Sequence, residues 1–222
     1  NLPMSAPAPS QPAAMAAEAS LAPDRLAGVL AGVLPHVAVA RIDAAARSLA
    51  PRFHPLQAPP KVALLRQGEV WQRAFLIEAG LVRMHFVDRD GHEFNKNFHA
   101  EGSLICPIAP AMWQEPSLFG IHTIEPTRAW VADAAALRTG LEEHGLWREL
   151  QCELLARLLT GKLQREHDLL ALDGRARYRA FGQRFPGLAG RVPLKHLASF
   201  LGLTDVSLSR LRRADKAGAG RG

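Results

Sequence analysis

The chain has 222 residues, 48% hydrophobic and 22% charged, and a formal net charge of +6. That length supports one large or two modest domains with real cores, and no apolar run is long enough to span a membrane. Two cysteines, Cys106 and Cys152, are too few and too scattered for a metal site or a disulfide framework, which points to a reducing, cytoplasmic setting.

The N-terminus has no basic start followed by an apolar core, so it does not read as a secretory signal. Its Ala, Pro and Ser content predicts a disordered leader over 1–22. Pro23-Asp24 then opens a helical pattern through Leu26, Val29, Leu30, Val33 and Leu34, ending at Pro35. A second short helix is expected from Ile42 to Leu49, after which Pro51, Pro55, Pro59 and Pro60 forbid regular helix.

From Lys61 to about Asp133 the hydrophobic period becomes two. The stretches VALLRQGEV, RAFLIEAGLVRMHFV and HEFNKNFH read as short strands, punctuated by Gly68, Gly80, Asp90-Gly91 and Gly102. Asp90-Gly91 predicts a hairpin, because both residues tolerate positive φ. Strands at this spacing suggest a compact sandwich or barrel.

Helical periodicity returns near Leu137 and becomes long from Leu146. Leu146, Leu150, Leu154, Leu158, Leu159, Leu163, Leu169, Leu170 and Leu172 form an apolar stripe interrupted by Gly161. Such a stripe packs on the strand domain or forms a dimer seam, and Leu150, Leu154 and Leu158 are the residues expected at the seam. The helix should stop or bend at Asp173-Gly174, and a short helix from Arg175 to Phe185 follows.

The final stretch, VPLKHLASFLGLTDVSLSRLRR, splits into two helical patterns around Gly202-Leu203-Thr204. Leu194, Leu197, Ala198 and Leu201 form the inward stripe of the first, and Leu208 and Leu211 that of the second, with Thr204 placed to cap it. Two helices joined through a Gly turn follow the helix-turn-helix plan. Asp205, Ser207, Ser209, Arg210, Arg212 and Arg213 are left outward, residue types that read bases or hold phosphates. Eleven of the 27 Lys and Arg lie from Gly174 onward, against two acidic residues, so this segment carries +9 while the first 173 residues carry −3. A basic balance confined to the segment with the hairpin is the electrostatic footprint of a nucleic-acid reader.

The chain therefore resembles the Crp/Fnr family of regulators. The terminal LASFLGLT followed by SLSR is similar to that family's helix-turn-helix signature, and EVWQRAFLIEAGLVRMHFVDRDGHEFNKNFHAEGSL resembles a cyclic-nucleotide-binding-type β-roll. The resemblance implies an α+β fold. An effector domain, a β-roll with flanking helices, would occupy 23–145, a long dimerisation helix 146–173 and a DNA-binding helix-turn-helix domain 174–222. It implies a homodimer bound to double-stranded DNA, and it admits RNA polymerase as a partner.

Carried over residue by residue, the resemblance places Ser209 and Arg210 on the family's serine and base-reading arginine. Val206 stands where a glutamate is common, so the usual acceptor for a cytosine amine is absent. The nine residues after Arg213 are too short and Gly-rich for the family's two-stranded wing. Phosphate contacts are therefore expected from Lys195, His196, Arg212 and Arg213.

In cyclic-nucleotide binders of the family, a Gly-Glu-Leu turn holds the ribose and an Arg after a proline clamps the phosphate. Here those pieces resemble Gly102-Ser103-Leu104 and Pro116-Ser117-Leu118, and counting back along the long helix brings Thr160 to the base. Both charged groups are gone, which argues against cyclic AMP as effector. An iron–sulfur cluster needs about four cysteines, and the chain has two. His85, His92, His99 and His122 lie in or near the roll, but no Cys or Met accompanies them at a recognisable haem-ligand spacing, and the effector stays unknown. The apolar loop ICPIAPAMWQEPSLF suits an uncharged or aromatic ligand, or a pocket that has closed. Phosphate-loop, nucleophile-elbow and HExxH motifs are missing, so no enzyme is expected. The competing reading is a ligand-sensing or protein-interaction module of the same fold that no longer reads DNA specifically.

Overall fold

A computed structural model describes residues 20–219. Most of the leader expected over 1–22 therefore lies outside the described residues, but its end does not: Leu21 is buried in the core, so order begins ahead of Pro23. Helices α1 (Pro23–Val33) and α2 (Val39–Leu49) lie where the leucine spacing predicts them, α2 starting three residues earlier. They bury Leu26, Leu30, Ile42 and Leu49 against the outside of the roll.

The roll consists of two four-stranded antiparallel sheets. The first has the order β1-β8-β3-β6, formed by β1 (His54–Ala58), β8 (Thr127–Asp133), β3 (Arg73–Ala79) and β6 (Leu104–Ile105). The second has the order β2-β7-β4-β5, formed by β2 (Ala63–Leu65), β7 (Gly120–Thr123), β4 (Val82–Val87) and β5 (Glu93–His99). Their facing sides enclose Leu56, Leu64, Phe75, Ile77, Val82, Met84 and Ile121, the inward members of the alternating pattern. Gly68, Gly80, Gly91 and Gly102 all have positive φ, which is why they punctuate the strands. At Gly80 a side chain is impossible, because a Cβ would lie 2.6 Å from the Pro126 carbonyl oxygen.

A short helix the sequence pattern does not predict, α3 (Pro110–Gln114), sits in the apolar loop. Beyond the roll, α4 (Ala134–Glu143) is capped by the Asp133 carboxylate, which accepts the Ala136 N–H at 2.8 Å. The long helix α5 (Trp147–Ala171) passes through Gly161 without a break. Asp173 caps α6 (Gly174–Arg184) in the same way, so the expected stop at Asp173-Gly174 is a cap. After a loop come α7 (Leu194–Leu201) and α8 (Asp205–Ala219).

The long helix corrects one expectation. Leu150 is buried in its own chain's core, and Leu154 and Leu158 pack against that core, so none of the three lies on an open seam. The free apolar edge runs instead through Leu155, Leu159, Leu163 and Leu170; Leu159 is 58% and Leu163 57% exposed. Spacings of four, four and seven put these leucines on one side of the helix.

Candidate nucleic-acid interface and effector cavity

The helix-turn-helix is assembled by one glycine and one threonine. Gly202 ends α7 in the left-handed conformation at φ 64°, donating its N–H to the carbonyls of Ala198 and Ser199. Thr204 Oγ1 accepts the Ser207 N–H at 3.1 Å and so caps α8. Leu208, fully buried with Leu197, Ala198, Leu201, Phe181 and Val192, locks the two helices together. Its truncation to Ala should cost about 2–5 kcal/mol.

On the open face of α8, Asp205, Val206, Arg210 and Arg213 are exposed, and Ser209 is half-buried beside them. Among the described residues, no hydrogen bond or ion pair engages Arg210 or Arg213, which leaves both guanidinium groups available. Lys195 is exposed at the start of α7. Two expected phosphate contacts are corrected. Arg212 donates Nη2 to the Ala189 carbonyl at 2.9 Å and covers the Tyr178 ring, so it braces the domain. His196 is half-buried against the roll, its Nδ1 3.5 Å from Asn95 Nδ2, and burial with the nearby Arg83 lowers its pKa to about 4. Ser207 turns its hydroxyl to Thr204 at 2.9 Å, within the cap.

Neither correction was legible in the sequence: Arg212 is held by packing within its own domain, and His196 by docking of that domain on the roll. Ser199 Oγ on α7 accepts the Asn95 N–H at 3.0 Å and donates to the Glu93 carbonyl at 3.1 Å, joining the edge of β5. Arg165 of α5 donates Nη2 to the carbonyls of Asn95 and Phe200, each at 3.1 Å, tying together roll, long helix and α7. Arg191 reaches Glu101 and Glu125 of the roll. Beneath this contact the His85 and His122 rings stack 4.7 Å apart. Burial, then Arg83, holds His85 at about 4, so it is a neutral imidazole at pH 7.

A cavity of about 330 Å3, the candidate effector site, lies between the roll and α5. Gly102, Ser103 and Leu104 line it as expected, together with Trp71, Met84, Phe119, Leu154 and Leu158. The remaining expected pocket residues are elsewhere. Leu118 is 77% exposed, Ser117 Oγ is bound to the Phe119 carbonyl at 2.8 Å, and Thr160 is exposed on the far side of α5. The helix presents Leu154, Arg157 and Leu158 instead. Among the described residues no carboxylate lines the cavity, and Arg157 is already committed to Glu153 at 2.9 Å and to the Gly32 and Val33 carbonyls. Of the four histidines considered for haem, His99 alone lines it. Burial, then Lys96, holds its pKa at about 4.

The cation the sequence reading misses is Lys96. In β5 the register slips between the pairs Met84↔Asn97 and His85↔Asn95, so Lys96 is the extra residue of a β-bulge. A bulge re-aims a side chain, and alternation alone sends this one to the wrong face. Phe94 is exposed and Asn95 buried for the same reason.

A two-sheet roll followed by a long helix and a helix-turn-helix is the architecture of the chain. No protein-family model matches the sequence, and no curated protein matches it. Solved structures do match. FixK2 from Bradyrhizobium japonicum superposes with a TM-score of 0.66 at 16% identity, over 75% of this chain and 86% of that one. The c-di-GMP responsive global regulator CLP of Xanthomonas campestris gives 0.64 at 14% identity, over 82% and 93%. A CooA mutant from Carboxydothermus hydrogenoformans gives 0.57 at 19%, over 75% and 77%. These are Crp/Fnr regulators, and their fold is the fold of this chain.

Proposed function

We propose that this protein is a DNA-binding transcription regulator of the Crp/Fnr type, acting as a homodimer on a near-palindromic site. The observation that carries the reading is the open face of α8, a capped helix presenting unpaired Arg210 and Arg213 from a domain whose net charge is +9. Arg210 is the base reader, suited to a guanine edge, and Arg213 and Lys195 hold phosphates. Pairing along Leu155, Leu159, Leu163 and Leu170 sets two recognition helices about 34 Å apart, one helical turn of DNA. Catalysis has no place in this reading.

The effector is not cyclic AMP, since the cavity offers no carboxylate for a ribose and no free arginine for the cyclic phosphate. Calorimetry giving a micromolar dissociation constant for cyclic AMP would contradict this. An effector in the cavity touches Leu154 and Leu158 on α5 and so biases the position of both readers, a population shift between two dimer states. Selection from random duplexes at near-physiological salt tests the reading. A two-fold-symmetric motif with half-sites one turn apart supports it, and recovery of no motif with or without cell extract contradicts it.

A further inference from the structure

Three histidines meet where the helix-turn-helix domain rests on the roll. His85 of β4 is 2% exposed, and neither of its ring nitrogens has a hydrogen-bond partner among the described residues. The His122 ring of β7 stacks on it at 4.7 Å, with Nδ1 also buried and unpartnered. Gly120, opposite His85 across the β4–β7 ladder, makes room for the pair, because a Cβ there would lie 3.2 Å from His85 Cε1 and 3.3 Å from His122 Cε1. His196 approaches from the other side, on α7, against the edge strand β5.

Hydrogen bonding fixes the protonation state of His196. Arg83 donates Nη1 to Asn95 Oδ1 at 3.1 Å, so the Asn95 amide turns its NH2 group toward His196 Nδ1 at 3.5 Å. Only an unprotonated Nδ1 can accept there, since a proton on it would face a donor. Asn95 is also the residue whose N–H bonds Ser199 Oγ, which places the histidine inside the contact that docks α7.

The charges around the three rings do not accommodate added protons. Glu93 is taken by Arg83 at 2.8 Å, and its Oε1 stands 3.7 Å from His85 Nε2, beyond hydrogen-bond reach. Arg83 and Glu93 thus offset each other, Lys195 and Asp205 do so around His196, and Arg66 adds a positive charge toward His122. Burial, then Arg83, depresses all three histidines, His85 and His196 to about 4. An imidazolium is disfavoured here while α7 is docked, and His196 returns toward its ordinary 6.5 once α7 lifts off.

We propose that the three histidines form a proton-operated latch, in which acidification charges His196 and the His85–His122 pair and releases α7 from β5. The latch concerns how the two domains dock and holds whether or not α8 reads DNA. Groups that are less basic docked than free take up protons on release, so docking is complete above about 6.5 and is lost as pH falls toward 4.

Hydrogen exchange read by mass spectrometry on the full chain without DNA tests it, each rate being divided by the intrinsic rate at that pH. Between pH 7 and pH 5, one histidine with these two values raises the undocked fraction about twentyfold. Protection of peptides spanning 93–99 and 194–201 should fall at least that far, while α2 stays protected. His196→Asn changes a half-buried position and offers Asn95 an acceptor that takes no proton, so the fold should survive and the fall should shrink at least fivefold. His85→Gln should shrink it as well. No loss of protection between pH 7 and pH 5, an equal loss in α2, or an unchanged loss in folded His196→Asn protein would overturn the proposal.

Discussion

Arg191, in the loop before α7, lays two guanidinium nitrogens on the two carboxylate oxygens of Glu101 in the roll, at 2.9 and 2.8 Å. The same group also bonds Glu125 at 3.1 and 2.7 Å, so one arginine holds the helix-turn-helix domain to the roll through four charge-assisted contacts. Arg191→Met should remove them all. Because the pair is partly open to water, the expected loss is about 1–2 kcal/mol, read by chemical denaturation. Faster proteolysis in the 185–193 loop should accompany it. An unchanged midpoint and cleavage rate would show that the clamp contributes nothing.

The same contact sets an acid limit on docking. Arg191, then the backbone N–H groups of Glu101 and Gly80, hold the Glu101 carboxyl at about 2, well below its usual 4.5. A folded pKa below the unfolded one means the contribution is complete above about 4.5 and lost as pH falls toward 2. The stability difference between wild type and Arg191→Met should therefore be constant at neutral pH and shrink across that window. A difference that grows on acidification would contradict the assignment.

Sedimentation can test the seam on α5. Leu159→Glu or Leu163→Glu places a charge on an edge that is open within one chain, so each should leave the monomer folded and abolish pairing. Leu150→Glu should instead unfold the protein, because Leu150 has no exposed surface. Retained dimers in both seam variants would move the interface elsewhere.

Thr204 contributes through the helix start. Thr204→Ala removes the acceptor for the Ser207 N–H and should lower stability by about 1 kcal/mol. Thr204→Ser should restore most of it, as melting curves would show. If Ser failed to rescue, the hydroxyl would not be the stabilising group.

How much of this was legible beforehand depends on how local the cause is. The helices from Pro23 and Ala134, the hairpin at Asp90-Gly91, and the turn at Gly202-Leu203-Thr204 follow from side-chain spacing and backbone conformation within a few residues, and the sequence carries them directly. Gly102, Ser103 and Leu104 were placed by the family resemblance alone, and they do line the cavity beside α5. Thr160, Ser117 and Leu118 do not, since the phase of a helix against a roll and the path of a loop depend on packing among distant residues. The leucine stripe of α5 is wide enough for either phase, and only its contact with α1 and the roll decides that Leu150, Leu154 and Leu158 face inward. Lys96 escaped notice because one bulge reverses the alternation, Arg212 because its partners Ala189 and Tyr178 come from the tertiary packing of its own domain, and His196 because its partner Asn95 is set by docking on the roll.

The most direct test of the central claim compares Arg210→Ala and Arg213→Ala with wild type on a selected duplex and on its scrambled counterpart, at one salt concentration. Arg210→Ala should lose about 1–3 kcal/mol on the selected duplex, relax specificity at one position of each half-site and change little on the scrambled one. Arg213→Ala should weaken both duplexes alike. Equal losses on both duplexes for Arg210→Ala would contradict the claim that α8 reads sequence through Arg210.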